Sequence, residues 1–403
     1  MGQGISGSHA QGAERRAGLK GCTMDKPAKP RLIAYYLPQF HPVPENDLWW
    51  EKGFTEWTNV TRTKPLFKDH YQPQLPSELG FYDLRIPEAR EAQAALAREY
   101  GIEGFCYWHY WFAGDRLLER PFQEVLESGK PDFPFCLGWA NENWNGLLFA
   151  GGDEKKLLKE QTYPGRSDHK RHFDYLLKAF RDHRYIRIDG KPLIVIYRPL
   201  KMPDVLPMLN YWRELAVEAG LGGIYAIATL DYHEIKWDAR GHGFDAVTVF
   251  PMGKIVTAGQ PCLWTTKLKN FLRDRKPRRI HHYVDQKYPG LERVYNYEEI
   301  RPFLLCDNKF DVPYHPMILP NWDTTPRYKR KAIILHNSTP EAFRKHLRDV
   351  LQQTAGQPQK EKIIFVKSWN EWAEGNYMEP DQRFGRAYLE VLKEELAAGN
   401  GSN

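Results

Sequence analysis

Residues 362–381 read KIIFVKSWNEWAEGNYMEPD. The run from Ile363 to Val366 is apolar and short, as a strand buried on both faces should be. Directly after it the chain breaks into Trp369, Asn370, Glu371, Trp372, Glu374 and Glu379. A strand that delivers a burst of chemically capable side chains at its C-terminal end points to a β/α-barrel active site.

The same pattern recurs upstream. Strand-like runs lie at 31–41 (RLIAYYLPQFH), 101–112 (GIEGFCYWHYWF), 133–144 (FPFCLGWANENW), 191–199, 222–230, 244–250 and 315–323 (HPMILPNWD), with 362–369 as the eighth. Between most of them fall helical stretches: 87–100 with Pro87 in its first turn, 117–129, 167–182, 204–219, one opened by Thr339 and Pro340, and 383–397. In the last, Phe384, Ala387, Tyr388, Val391 and Leu392 repeat at helical spacing. Eight such alternations predict an α/β fold, a (β/α)8 TIM-type barrel with elaborated loops at the C-terminal face of its strands. A doubly wound sheet would call for a Gly-rich turn after the first strand, and Pro38-Gln39-Phe40-His41 is not one. We expect one catalytic domain over 31–397 with long loops at 42–86 and 251–313, a disordered leader at 1–30 and a disordered tail at 398–403.

Composition narrows the partners. The net charge is 57 − 51 = +6, a mild excess that permits an anionic ligand without demanding one. The basic block Lys267–Arg279 lacks a supporting motif, so it reads as a solvated segment and no nucleic acid is expected. The 403 residues include 13 Trp and 22 Tyr, flat faces with polar edges that suit sugar rings. Five scattered cysteines without a CxxC predict free thiols and a reducing compartment. Residues 1–30 hold no apolar signal core, and no run is long enough to span a membrane. A cytoplasmic location follows as the expectation. Matches to GxGxxG and to an N-myristoylation pattern near Gly2 are read as chance, because no strand precedes the glycines. Oligomeric state leaves no trace in the sequence.

Breaking a glycosidic bond needs a proton for the leaving oxygen and help for the developing oxocarbenium ion, and paired carboxylates supply both. Glu371 and Glu374 are the candidate catalytic pair; Glu142 in WANENW with Glu371 is the rival pair. Candidate sugar ligands sit at or near other strand ends: Tyr36, His41 and Trp57; His109 and Tyr110; Trp139, Asn141, Glu142 and Trp144; Asn321, Trp322, Asp323 and Arg327; and Asn370, Trp372 and Glu379. HExxH and related ligand spacings are absent, so neither metal nor cofactor is expected. The expected partner is an oligosaccharide or polysaccharide substrate.

The chain resembles the WbsX family, also described as glycoside hydrolase family 99-like. The resemblance rests on AYYLPQFHPVPENDLWWEKGFTEWTNV (34–60), YQPQLPSELGFYDLR (71–85), GFCYWHYWF (104–112), WANENW (139–144), LPNWDTTPR (319–327) and SWNEWAEGNYMEPD (368–381). The last motif is also similar to the EWxEG…EP pattern of endo-α-mannosidases, matched at Glu371, Trp372, Glu374, Gly375, Glu379 and Pro380. That likeness implies retention of configuration without a glycosyl-enzyme ester. Glu371 would deprotonate the sugar 2-hydroxyl, which attacks C1 to give a 1,2-anhydro sugar, and Glu374 would protonate the leaving oxygen. The reading implied is a retaining endo-type glycoside hydrolase or transglycosidase acting on bacterial surface polysaccharide. The alternatives are a glycosyltransferase in O-antigen or capsule assembly, weakened by the lack of a DxD motif, and a catalytically silent carbohydrate-binding barrel.

Overall fold

Strands that are apolar on both faces need cover on both, and a closed ring of parallel strands inside a shell of helices provides it. The computed structural model, which describes residues 1–2, 29–146, 156–262, 271 and 293–398, shows this arrangement. Its strands are Arg31–Tyr36, Gly104–Phe112, Phe135–Trp139, Lys191–Ile196, Tyr225–Asp231, Ala246–Phe250, Met317–Ile318 and Ile363–Val366, called the first to the eighth below. Each of the first five pairs in parallel with the next, the seventh pairs with the eighth, and the eighth pairs with the first, Arg31 opposite Ile363. The sixth and seventh strands meet through a parallel bridge between Val247 and Tyr314. There the Val247 N–H donates to the Pro313 carbonyl at 2.9 Å and the His315 N–H to the Val247 carbonyl at 2.8 Å.

Helices Pro87–Glu99, Arg120–Ser128, Arg166–Phe180, Val205–Glu218, Pro340–Thr354 and Ala387–Ala398 cover the ring. Pro340 begins its helix without losing a needed hydrogen bond, and the Thr339 hydroxyl accepts the Ala342 N–H at 3.2 Å. That helix buries Phe343, Leu347 and Val350 against the barrel, each contributing roughly 1.5–3 kcal/mol. Between the fifth and sixth strands there is only a 3-10 turn, Tyr232–Glu234. Cys106 and Cys136 are buried free thiols on adjacent strands.

Several elements differ from the expected ones. The seventh strand is two residues long instead of 315–323. Pro316 and Pro320 lack the N–H groups a longer ladder would need. The loop expected at 42–86 carries two short helices, Pro44–Trp49 and Glu56–Arg62. Asp115–Leu117 folds back antiparallel on the second strand, Phe112 opposite Asp115, so the helix expected from 117 begins only at Arg120. Within 251–313 lie a helix Met252–Ala258 and a strand Val294–Asn296 that pairs with Ile334–His336. The basic block, apart from Phe271, the leader from residue 3 to 28 and the tail from 399 lie outside the described residues.

Gly104 opens the second strand, close against the residue that precedes the third. A Cβ there would lie 2.4 Å from the Pro134 carbonyl oxygen, a backbone atom that cannot step aside. Gly104→Ala is therefore expected to cost about 1–3 kcal/mol, read as a lower urea midpoint. An unchanged midpoint would mean the first three strands pack less closely than described.

Candidate active site

The strands converge on a cleft of about 510 Å³. Its walls are Leu37 and Gln39 after the first strand, Trp108 and Tyr110 of the second, and Glu142 to Asn145 after the third. Tyr197 and Arg198 follow the fourth strand, Phe250 ends the sixth, and Trp322, Arg327 and Tyr328 follow the seventh. Lys367, Glu371 and Glu374 follow the eighth.

The turn after the eighth strand is built to hold the two glutamates together. Asn370 and Glu371 pair antiparallel with Tyr377 and Asn376, and Trp372–Glu374 forms a 3-10 turn between them. Gly375 closes the turn in the left-handed region at φ 58°, and a Cβ on it would lie 2.7 Å from the Asp323 nitrogen. Asn370 ties the turn to the first strand: its Oδ1 accepts the Leu37 N–H at 2.7 Å and its Nδ2 donates to the Leu37 carbonyl at 3.0 Å. Trp372 stacks on Tyr377 with ring centroids 3.7 Å apart.

Charges alternate through the floor of the cleft. Arg327 donates from Nη2 to Glu56 Oε1 at 3.2 Å and from Nη1 to Glu374 Oε1 at 2.5 Å. Lys367 Nζ donates to Glu371 Oε2 and lies 3.9 Å from Glu374 Oε2. Burial raises the proton affinity of Glu371, but the Lys367 and Arg327 charges outweigh it and hold the carboxyl below its ordinary value. Burial and the neighbouring Glu371 charge push Glu374 up to about 7, against the opposing pull of Arg327 and Lys367. Two carboxyls facing one cleft are thus biased apart, one toward the anion and one toward the acid. At the rim Glu142 is half-buried, 3.4 Å from Arg198 Nε, and Arg198 Nη1 donates to Asp231 Oδ2 at 2.6 Å.

Of the residues expected at the site, Tyr110, Glu142, Trp144, Trp322, Arg327, Glu371 and Glu374 line this cleft. The others do not, and for Tyr36, His109 and Trp139, which lie on barrel strands, alternation gives the reason. Trp108 and Tyr110 face the cleft, so His109 between them faces outward, its Nε2 2.9 Å from His172 Nε2. Tyr36 likewise points outward and donates to Gln93 Oε1 at 2.6 Å. Trp139 packs edge-on against His172. Asn141 binds the Arg198 backbone, its Nδ2 2.9 Å from the carbonyl. His41 and Trp57 are buried, Trp57 donating to the Tyr82 carbonyl at 2.9 Å.

Asn321 and Asp323 flank Trp322 and face a second cavity of about 50 Å³. Asp323 Oδ2 is held by His70 and Gln72, both at 2.7 Å, and Oδ1 accepts the Thr325 N–H at 2.9 Å. Asn370 and Trp372 lie on the far side of Glu371, in the contacts given above. Glu379 is buried and accepts from Trp372 Nε1 at 2.7 Å, the Tyr82 hydroxyl at 2.8 Å and Gln93 Nε2 at 2.6 Å.

The sequence reading passed over Lys367, Arg198, Tyr197, Trp108 and Gln39. Lys367 had a signal, a cation at the end of an otherwise apolar buried strand, four residues before Glu371. Among the described residues no group of three His, Cys, Asp or Glu side chains could hold a metal ion, and no helix is long and apolar enough to cross a membrane.

Comparison with known proteins places this geometry in context. The family described as glycosyltransferase WbsX matches residues 32–392. The uncharacterized protein WxcX of Xanthomonas campestris pv. campestris strain B100 is 36% identical over 370 residues, 91% of this chain and 49% of that protein. The WxcX of a second strain gives the same figures. The chain spans about half the length of these curated relatives. Among solved structures, a glycoside hydrolase-like protein superposes with a TM-score of 0.57 at 18% identity, covering 94% of this chain and 97% of that one. A GH99 endo-alpha-mannosidase from a Bacteroides species gives 0.51 at 14% identity, covering 93% and 99%. At these identities the likeness is one of fold, a barrel.

The contacts of Glu379 separate a supporting role from a sugar-binding one. Glu379→Gln at pH 8 turns an amide N–H toward groups that are themselves donors, and the expected cost is roughly 1–3 kcal/mol of stability by urea unfolding. Unchanged stability with weakened glycan binding would return Glu379 to the ligand set.

Proposed function

The chain belongs to the WbsX glycosyltransferase family, and from that premise we propose that it is a carbohydrate-active enzyme: a retaining endo-type glycoside hydrolase or transglycosidase of bacterial surface polysaccharide, working in the cytoplasm. The observation that carries the reading is the opposite bias on Glu371 and Glu374 across one cleft. Trp108, Tyr110, Trp144, Tyr197 and Trp322 give the cleft the flat faces on which sugar rings stack.

In the reaction, ionised Glu371 takes the proton of the sugar 2-hydroxyl while that oxygen attacks C1. The C1–O bond to the leaving sugar breaks, and its oxygen takes the proton of Glu374. A 1,2-anhydro sugar results. Glu374, now a carboxylate, then deprotonates water or an acceptor hydroxyl, which opens the ring at C1, and Glu371 returns its proton to the 2-oxygen. Two displacements at C1 retain configuration. The endo action is supported by the fold likeness to an endo-alpha-mannosidase.

The family description favours a second reading, sugar transfer from a nucleotide donor. The cleft lining includes Arg198, Arg293 and Lys331 beside Arg327 and Lys367, cations of the kind that could meet a diphosphate. Calorimetry with UDP-, GDP- and dTDP-sugars distinguishes the two. The hydrolase reading expects no tight binding, and a stoichiometric nucleotide-sugar complex would displace it.

For the hydrolase, Glu371→Gln and Glu374→Gln should each lower kcat on an unactivated glycan by about 10²–10⁴, while Glu142→Gln keeps most turnover. Loss in Glu142→Gln and Glu371→Gln with Glu374→Gln still active would install the rival pair, and full retention in all three would leave a binding barrel. Because Glu374 must hold a proton, kcat/KM should fall as pH rises through about 7. Because Glu371 must be ionised, the acid limb should lie below the ordinary glutamate range. Activity rising across pH 7 to 9 would contradict the assignment.

A further inference from the structure

We propose that Lys367 is a positioning residue whose ammonium, shared between Glu371 and Glu374, follows the negative charge from one carboxyl to the other during turnover. The inference rests on the glycosidase reading above and extends it to a residue that never touches the glycosidic bond.

Lys367 is the first residue beyond the eighth strand and is 5% exposed. An ammonium has three N–H groups. One goes to Glu371 Oε2, and a second has Asn376 Oδ1 at 3.5 Å. Nζ also lies 3.9 Å from Glu374 Oε2, just beyond hydrogen-bond reach. Asn376 completes the cradle, since its Nδ2 lies 3.4 Å from that same Glu374 oxygen. Ser368 Oγ lies 3.1 Å from Glu371 Oε2 and 2.7 Å from Asn376 Oδ1. The ring of Trp322 covers the ammonium, its centroid 5.5 Å from Nζ.

The proton inventory explains why a mobile cation belongs there. Before the first step the pair carries one negative charge, on Glu371. The 2-hydroxyl proton then arrives on Glu371 as the Glu374 proton leaves with the departing sugar. The pair still carries one negative charge, now on Glu374. No net charge enters or leaves; it moves across the pair, and Lys367 stands between its two positions. Arg327 cannot serve both ends, because its Nη1 is on Glu374 and its Nη2 on Glu56. Among the described residues, the other ionisable groups facing the pair are Tyr110 from the second strand, Tyr197 after the fourth, Tyr328 after the seventh, and Glu56, which is held by Arg327. Glu142 is paired with Arg198 at the rim. Removing the ammonium alone would leave the buried Glu371 carboxylate without its nearest cation, so the pair depends on Lys367 for its charge balance.

The test is a difference-infrared titration of carboxyl protonation in the wild type, Lys367→Met and Lys367→Arg, with Glu371→Gln and Glu374→Gln assigning the bands. The pH profile of kcat is recorded alongside. Removing the cation should raise both carboxyl midpoints, Glu371 the more, by about one pH unit or a tenfold change in proton affinity. The acid limb of kcat should move up with it, and Lys367→Arg should return both toward wild type. A merely structural lysine would lower kcat at every pH and leave the midpoints in place, and that result overturns the proposal. Near-UV circular dichroism checks folding, and Lys367→Gln takes the place of a Met variant that fails it. If the midpoints move as expected but the wild type cleaves no glycan, the glycosidase reading fails instead, and the charge-following role fails with it.

Discussion

A run of alternating acidic and basic side chains, from Glu56 through Arg327, Glu374 and Lys367 to Glu371, sets the terms for the rest of this structure. Taking such groups out of water costs several kcal/mol per ion unless geometry and hydrogen bonds repay it. The surroundings supply that repayment. Asn370 locks the eighth-strand turn to the first strand, Gly375 lets it close against Asp323, and Ser368 and Asn376 bind the carboxylates from below. Two further buried acids, Asp323 and Glu379, anchor the loops that flank the turn. Many polar residues around this site therefore hold the scaffold in place, and few are free to meet a sugar.

The barrel makes that division of labour possible. Its strands end around one opening, and alternation along each strand sends one residue into the cleft and the next back into the scaffold. The cleft thereby acquires aromatic walls from Trp108, Tyr110, Trp144 and Tyr197. Their outward neighbours, such as His109 and Trp139, knit the strands to the helices Arg166–Phe180 and Val205–Glu218. The pairing of Arg198 with Glu142 and Asp231 carries this ordering to the rim.

The apolar runs made the barrel legible in the sequence, because continuous burial leaves a continuous signature. The two glutamates were legible because they follow such a run among indoles. The facing of individual residues was read less well. Polar and aromatic residues near strand ends, chosen without regard to facing, mix both faces, as Tyr36, His109, Asn141, Asn370 and Trp372 show. Counting alternate positions from a known cleft residue would have sorted several of them and brought in Trp108 and Gln39. The pairing of Arg327 with Glu56 had no such signal. It joins residues 271 positions apart, and only the folded ring brings them together. The seventh strand is shorter than its apolar run for a local reason, since Pro316 and Pro320 inside 315–323 have no N–H to give the ladder.

The central claim is that two neighbouring carboxyls, one charged and one protonated, exchange roles in a double displacement at one sugar carbon. Proton NMR of the first product released from a bacterial surface polysaccharide reads that directly, before the free sugar mutarotates. The account predicts a new reducing end with the same anomeric configuration as the bond that was cut. Release of the opposite anomer would show a single displacement by water and would contradict it.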